Sequence, residues 1–243
     1  MKKKIIITGG KGKLAKLFKP YQNLFNIKFP TKKELNILNI KKISRYLDKN
    51  KTQYLIHNAA LSRPMDIHEK NIRESISKNI IGTCNIINEC SKRNIKIIYF
   101  STSYVYPGTK GNYNELSSLL PMNNYAWSKL GGECAVQMYK NSLILRLSIT
   151  EKPFIHEKAF TNIKSNFLYQ EEAVPIILKL IDKKGIINIG GKSQSIYNFA
   201  KKYNKNIKAT KYYLKNNLIM PKDSSMNLSK MNKLIKGINA KKK

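Results

Sequence analysis

Acidic residues are scarce in this chain: 14 Asp and Glu stand against 46 Lys and Arg, a formal net charge of +32 over 243 residues. Such a charge predicts salt-sensitive adhesion to polyanions. It does not make a specific nucleic-acid binder. The lysines are spread along the chain and accompany heavy use of Asn and Ile. Zinc-finger spacing, an RNP-like aromatic motif and a basic zipper are all missing. Cysteine is scarce too. Cys84, Cys90 and Cys134 form no Cys-x-x-Cys pair, so neither a disulfide framework nor a metal site is expected. Reduced thiols in the cytoplasm are the expectation. No apolar run approaches the ~20 residues of a membrane helix. The run Ile5-Ile6-Ile7 stops at Thr8-Gly9-Gly10, short of the ~7–15 residues of a signal-peptide core. No membrane partner is expected.

What is present is a globular share of apolar residues, 42%, and an alternation of strand and helix patterns. Residues 4–8 form a β-branched run that enters Gly9-Gly10-Lys11-Gly12-Lys13-Leu14-Ala15, followed by a helical pattern. Strand, glycine turn and helix make the opening of a dinucleotide-binding unit. Glycine lets the backbone approach a pyrophosphate, and the helix start offers free N–H groups. A second strand is expected over 23–29. No acid follows it before Glu34, whereas Thr31, Lys32 and the lysines of the glycine turn suit a 2′-phosphate. NADP(H) is therefore favoured over NAD(H).

A third strand, Tyr54–His57, ends in Asn58-Ala59-Ala60, small residues that let a cofactor lie across the sheet. His57 reads as a buried or edge histidine. A long helix over 71–93 carries Asn79 inside its apolar stripe, where a polar group needs partners. The strand over 96–100 runs into Ser101-Thr102-Ser103, three hydroxyls where open α/β sheets bind ligands. Pro121 opens a helix over 122–139. On it Tyr125 and Lys129 are one turn apart, and a nearby ammonium lowers a phenol's pKa towards neutrality. Strands at 142–147 and 185–189 follow. Between them lie an aperiodic loop over 152–170 and a helix over 171–181 interrupted by Pro175. A short helix over 195–203 and a solvated Lys241-Lys242-Lys243 tail close the reading. The expected fold is α/β: a Rossmann-type, doubly wound, mainly parallel sheet over 1–148, with a small substrate-binding lobe over 149–243 packed on it.

The glycine turn, Asn58-Ala-Ala, Ser101-Thr-Ser-Tyr-Val-Tyr, Asn124-Tyr-Ala-Trp-Ser-Lys-Leu-Gly-Gly-Glu133 and Leu145-Arg146 occur in one order. Together they resemble the extended short-chain dehydrogenase/reductase superfamily, and within it the dTDP-4-dehydrorhamnose reductase group of nucleotide-sugar reductases. The resemblance is strong to about residue 148 and thin beyond. It implies that Thr102, Tyr125 and Lys129 form the catalytic trio. Thr102 would bond the sugar's carbonyl oxygen, Tyr125 would give it a proton, and Lys129 would hold the nicotinamide ribose. Gly9, Gly12, Lys13, Leu14, Thr31, Lys32, Asn58, Ala59 and Ala60 would bind the cofactor, with Tyr125 and Lys129. Ser62, Ser103, Tyr104 and Arg146 would contact a nucleotide-sugar substrate. Asn79 matches a family asparagine near the site. Ser103-Tyr104, in place of Asp-Glu, speaks against the related sugar dehydratases. The reaction implied is reduction of a 4-keto-6-deoxy nucleotide sugar for surface polysaccharide synthesis, and the family allows a homodimer. C4 epimerisation, and a non-catalytic NADP-binding subunit like that of methionine adenosyltransferase, are the alternatives.

Overall fold

The computed structural model describes residues 2–213 and 218–240; the Lys241–Lys243 tail lies outside them. Six strands form one sheet: β1 (Lys4–Ile7), β2 (Asn26–Lys28), β3 (Tyr54–His57), β4 (Lys96–Thr102), β5 (Ser142–Leu147) and β6 (Gly185–Ile189). Their order is β6-β5-β4-β3-β1-β2, and every pairing is parallel. Parallel strands need helical crossovers, so both faces become covered and the strands read as near-continuous apolar runs. In β1, Ile5 and Ile7 face one layer and Ile6 the other, as the two-residue period of a strand requires. The first layer contains Ala15 of α1 (Lys13–Lys16), Ala173, Val174 and Ile177 of α5 (Gln170–Leu180), and Met231 of α7 (Ser229–Ala240). The second contains Ile43 and Leu47 of α2 (Ile40–Asn50), Ile86 and Cys90 of α3 (72–92), and Val136 of α4 (Asn124–Gln137). The chain leaves β1 towards β2 and then returns to the other side as β3. That reversal opens a crevice at the carboxyl ends of β1 and β3.

Several expected boundaries move, each for a local reason. The second strand shortens to Asn26–Lys28 because Lys19–Asn23 winds into a 3₁₀ turn with Pro20 at its start. The helix over 124–137 is capped by Asn123, whose side chain accepts from the Ala126 N–H, so Pro121 precedes the cap. Pro175 does not interrupt α5, which runs unbroken over Gln170–Leu180. Pro175 is the sixth of its eleven residues, so the helix continues past it without the one N–H bond that proline cannot make. The stretch 152–170 is not a plain loop: it holds Lys158–Phe160, Lys164–Ser165 and Leu168–Tyr169, each paired with a distant segment. Pairing partners remote in sequence leave no local period to read.

The sheet and its covering extend past residue 148. β6 pairs with β5, and α5 and α7 cover the first layer, so these later segments complete the Rossmann unit. Without them, Leu143, Leu145 and Leu147 would face water. The small lobe is the remainder. It is built on Ala159, Ile163, Ile196, Ala200 and Ile207, and includes α6 (Ile196–Lys201). Where helices approach closely, glycine is obligatory. A Cβ on Gly132 of α4 would lie 2.6 Å from the Tyr99 hydroxyl and 2.7 Å from the Asn79 carbonyl oxygen. Gly237 of α7 has nothing within 4 Å. In urea denaturation, Gly132→Ala should therefore destabilise the fold by about 1–3 kcal/mol, and Gly237→Ala should stabilise it by about 0.5–1 kcal/mol.

Candidate active site

The glycine turn closes at the carboxyl end of β1. Gly9 has φ +67°, and its Cα region lies against Ala59: an added Cβ would be 3.1 Å from the Ala59 Cα. A Cβ on Gly12 would meet the Gly9 carbonyl oxygen at 3.1 Å and Asn58 Nδ2 at 3.6 Å. The motif reading missed Gly10, although the adjacent Gly9-Gly10 pair was its signal. Its Cβ would lie 2.5 Å from the Phe29 carbonyl carbon, and its N–H donates to the Pro30 carbonyl at 3.3 Å. The turn is thus pressed against the ends of both β2 and β3. Gly12 caps α1 and brings no side-chain acceptor to the helix N–H groups. A bare backbone concavity of this kind fits a dinucleotide pyrophosphate. Leu14 packs on the first core layer, so only its backbone faces that concavity. Thr31 is engaged in a local turn, its N–H donating to Glu34 at 2.7 Å. Lys32 is exposed, as are Ala60 and Ser62.

A buried relay ties this turn to the other half of the site. The Thr8 hydroxyl oxygen accepts from the Asn58 N–H at 3.1 Å and the Ala59 N–H at 3.0 Å. Its proton therefore points to His57 Nδ1, 2.9 Å away. Nε2 of His57 then carries the ring proton and donates to the Thr83 hydroxyl at 3.0 Å. Thr83 donates in turn to the Asn79 carbonyl at 2.7 Å. Burial holds His57 neutral, its pKa pushed down to about 3, with Lys129 adding to the effect. Asn79 sits on a π-turn, Ile76–Ile81, inside α3, a feature frequent at functional sites. Its side chain accepts from the Leu61 N–H at 2.7 Å and donates to the Leu61 carbonyl at 2.9 Å and Ser128 Oγ at 2.8 Å. Asn79 is thus a structural link, joining the loop after β3 to the Tyr125 helix.

Tyr125 meets the Thr102 hydroxyl at the carboxyl end of β4, and Lys129 follows one turn further along α4. Burial raises the Tyr125 pKa; the Thr102 hydroxyl and the Arg63 guanidinium pull it back down. Burial also drives Lys129 down to about 7, while the Glu133 carboxylate pulls it up. Its Nζ lies 4.3 Å from the centroid of the Tyr99 ring. The ring of Tyr104 stands perpendicular to that of Tyr125, centroids 6.4 Å apart, and that of His68 lies edge-on at 5.2 Å. Glu69 accepts from Asn124 at its N–H (2.9 Å) and its Nδ2 (2.6 Å), holding the start of α4. Ser103 is buried beside Thr102.

Arg146, expected at the substrate, faces the interior. It is buried, and its Nη2 lies 2.6 Å from Glu133 Oε1. Nη1 donates to the Tyr106 hydroxyl at 2.8 Å and the Glu115 carbonyl at 3.2 Å. These bonds turn it into the fold, where it anchors α4 to the sheet. Sequence reasoning had placed Arg146 and Glu133 in the same motif set but could not pair them across two elements. Among the described residues no group of three His, Cys, Asp or Glu could hold a metal ion, and no helix is long and apolar enough to cross a membrane.

The family model of the RmlD substrate binding domain matches residues 2–166, well over half of the chain. The chain belongs to this family. It is an RmlD-like member of the extended short-chain dehydrogenase/reductases. A dTDP-D-glucose 4,6-dehydratase of Dictyostelium discoideum is 29% identical over 177 residues, 67% of this chain and 39% of that protein. Methionine adenosyltransferase 2 subunit beta of Rattus norvegicus is 27% identical over 143 residues, 55% of this chain and 42% of that protein. The matches thus span only 39–42% of these relatives' lengths. A dTDP-4-dehydrorhamnose reductase from Bacillus anthracis, solved in complex with NADP, superposes with a TM-score of 0.83 at 23% identity, over 99% of this chain and 97% of that one. At that identity the likeness shows the fold: the Rossmann sheet and the small lobe both have counterparts.

Two outcomes follow from the buried charges of this RmlD-like chain. Glu133→Ala leaves Arg146 uncompensated and should cost about 3–5 kcal/mol in chemical denaturation. Lys129 loses its proton near 7 when folded but near ~10.4 when unfolded. Its burial therefore penalises folding fully below pH 7, and the penalty fades as pH rises towards the unfolded value. Lys129→Met should melt above wild type by a wider margin at pH 6 than at pH 9.

Proposed function

We propose that the chain is an NADPH-preferring reductase of a 4-keto-6-deoxy nucleotide sugar, cytoplasmic, serving surface polysaccharide synthesis, and working as a homodimer. The observation that supports the reading is the Tyr125–Thr102 contact at the end of β4, with Lys129 buried one helical turn on, together with a glycine turn whose backbone fits a pyrophosphate. When bound, a nicotinamide cofactor would supply the hydride. The chain's own residues do the rest. Gly9, Gly12 and the backbone at Lys13 and Leu14 hold the pyrophosphate. Asn58, Ala59 and Ala60 line the cofactor's path. Thr102 hydrogen-bonds the substrate carbonyl and aligns it. Tyr125, whose raised pKa keeps its proton at neutral pH, donates that proton to the carbonyl oxygen as charge develops there. Lys129 orients the ribose, and an incoming phosphate-bearing ligand favours its charged form. Ser62, Ser103 and Tyr104 border the sugar, and the small lobe selects it.

Preference for the 2′-phosphate is supported by the groove at the end of β2. Lys33, Lys42 and Arg45 line it beside Phe29, with Glu34 the one acid there. A second reading, a regulatory subunit without turnover, draws on the match to methionine adenosyltransferase 2 subunit beta. Kinetics separate the two. With NADPH and dTDP-4-dehydro-6-deoxy sugar, wild type should consume cofactor, and Tyr125→Phe should lose about 10²–10⁴-fold in kcat with NADPH affinity kept. Gly12→Asp should abolish fluorescence-detected NADPH binding. Binding without any Tyr125-dependent turnover would favour the regulatory reading. Conversion of the sugar with no net NADPH loss would favour epimerisation.

A further inference from the structure

Three loops from the carboxyl edge of the sheet converge on one carboxylate. Glu151 follows β5 and the short strand Ile149–Thr150. Its Oε2 accepts from Lys13 Nζ at 2.8 Å, on the glycine-turn helix after β1. Its Oε1 accepts from Arg63 Nη1 at 2.8 Å, on the loop after β3. Each carboxylate oxygen thus takes one cation, and the pair of bonds spans the crevice mouth. The exposures are unequal. The Lys13 side chain is 74% exposed and that of Arg63 44%, whereas that of Glu151 is 16% exposed. The acid is tucked into the mouth, and the two cations reach over it from the rim. His156 also faces this cluster, feeling both Arg63 and Glu151. The seat lies close to the chemistry, because the Arg63 charge acts on both Tyr125 and Tyr104.

In a chain with 14 acids against 46 bases, an acid at the mouth of an anion-binding crevice needs a reason. A carboxylate held by a lysine and an arginine is geometrically what one phosphoryl group of a diphosphate would be. We propose that Glu151 is a built-in competitor: its carboxylate occupies an anion seat formed by Lys13 and Arg63, and the diphosphate of a nucleotide ligand displaces it on binding. The proposal rests on the nucleotide-binding reading above. A diphosphate brings more negative charge than one carboxylate, and rim ion pairs of this exposure are weak and salt-screened. Displacement is therefore cheap, and it frees the loop after β5 to move as ligand enters.

The test is Glu151→Gln, titrated with NADPH and separately with thymidine diphosphate at two salt concentrations. Asp48→Asn serves as the control. It makes the same change in net charge, and Asp48 is paired with Arg93 on α2, near the opposite edge of the sheet. Glu151→Gln should tighten binding of at least one ligand about fivefold, the gain expected when the open form is about a fifth of the unliganded molecules. The gain should vanish when Lys13→Met and Arg63→Gln are added. A gain confined to NADPH assigns the seat to the cofactor's diphosphate; one confined to thymidine diphosphate assigns it to the substrate's. Wild type that binds, with Glu151→Gln no better than Asp48→Asn, overturns the proposal alone. Wild type that binds neither ligand overturns the nucleotide-binding reading, and the proposal with it.

Discussion

The buried ion pair between Arg146 on β5 and Glu133 on α4 is the constraint on which the site depends. Helix α4 has to lie against the sheet with Tyr125 and Lys129 turned towards the carboxyl ends of β3 and β4. Glu133 sits one turn beyond Lys129, and it is gripped from below by Arg146 and by the Ser101 hydroxyl. The guanidinium is held in turn by Tyr106, which donates to Asn188 on β6 at 2.8 Å. One network therefore crosses β4, β5, β6 and α4. Charges buried like this stabilise little in sum, but they are intolerant of any other arrangement. The same pairing shapes the chemistry. Burial brings Lys129 down to about 7, and Glu133, which also pairs with Arg146, offsets only part of that. A lysine poised there responds to the charge of whatever binds beside it.

On the opposite flank the hydrogen bonds are neutral. Thr8, His57, Thr83 and Asn79 form a directional chain from the glycine turn to α3, and Asn79 passes it on to Ser128 and Leu61. Every donor in it has one acceptor, which leaves a single arrangement of protons. Such fully satisfied networks rigidify their surroundings. Here they set the cofactor turn and the catalytic helix at a fixed separation, although the two are more than a hundred residues apart in the chain. The π-turn at Ile76–Ile81 is what rotates the Asn79 side chain into this position.

Much of this was legible without coordinates. The β-branched runs at Ile5-Ile6-Ile7, Leu55-Ile56 and Ile97-Ile98 announce buried parallel strands. Gly9 and Gly12 announce the turn, and the order of motifs announces the family. What escaped has a common cause. Nothing local says that Arg146 pairs with Glu133 across two elements. The strands at 158–160 and 208–210 pair with each other across some fifty residues, so neither carries a period of its own. Gly10 was passed over because its partner, the Phe29 carbonyl, belongs to the next strand.

The sequence by itself determined the layer architecture, the glycine turn after β1 and the placing of Tyr125 and Lys129 one turn apart on one helix. Those follow from short-range patterning: alternation of strand and helix periods, glycine spacing, and a tyrosine and lysine one helical turn apart. Tertiary structure decided how each of those groups behaves. Whether a phenol keeps its proton, whether a lysine is charged, which arginine faces ligand and which faces an internal acid all depend on burial and on partners brought in from other elements. Desolvation and Coulomb interaction act through space and fall off with distance, so they are set by the packing of β5, α3 and α4 and not by the order of residues along any one of them.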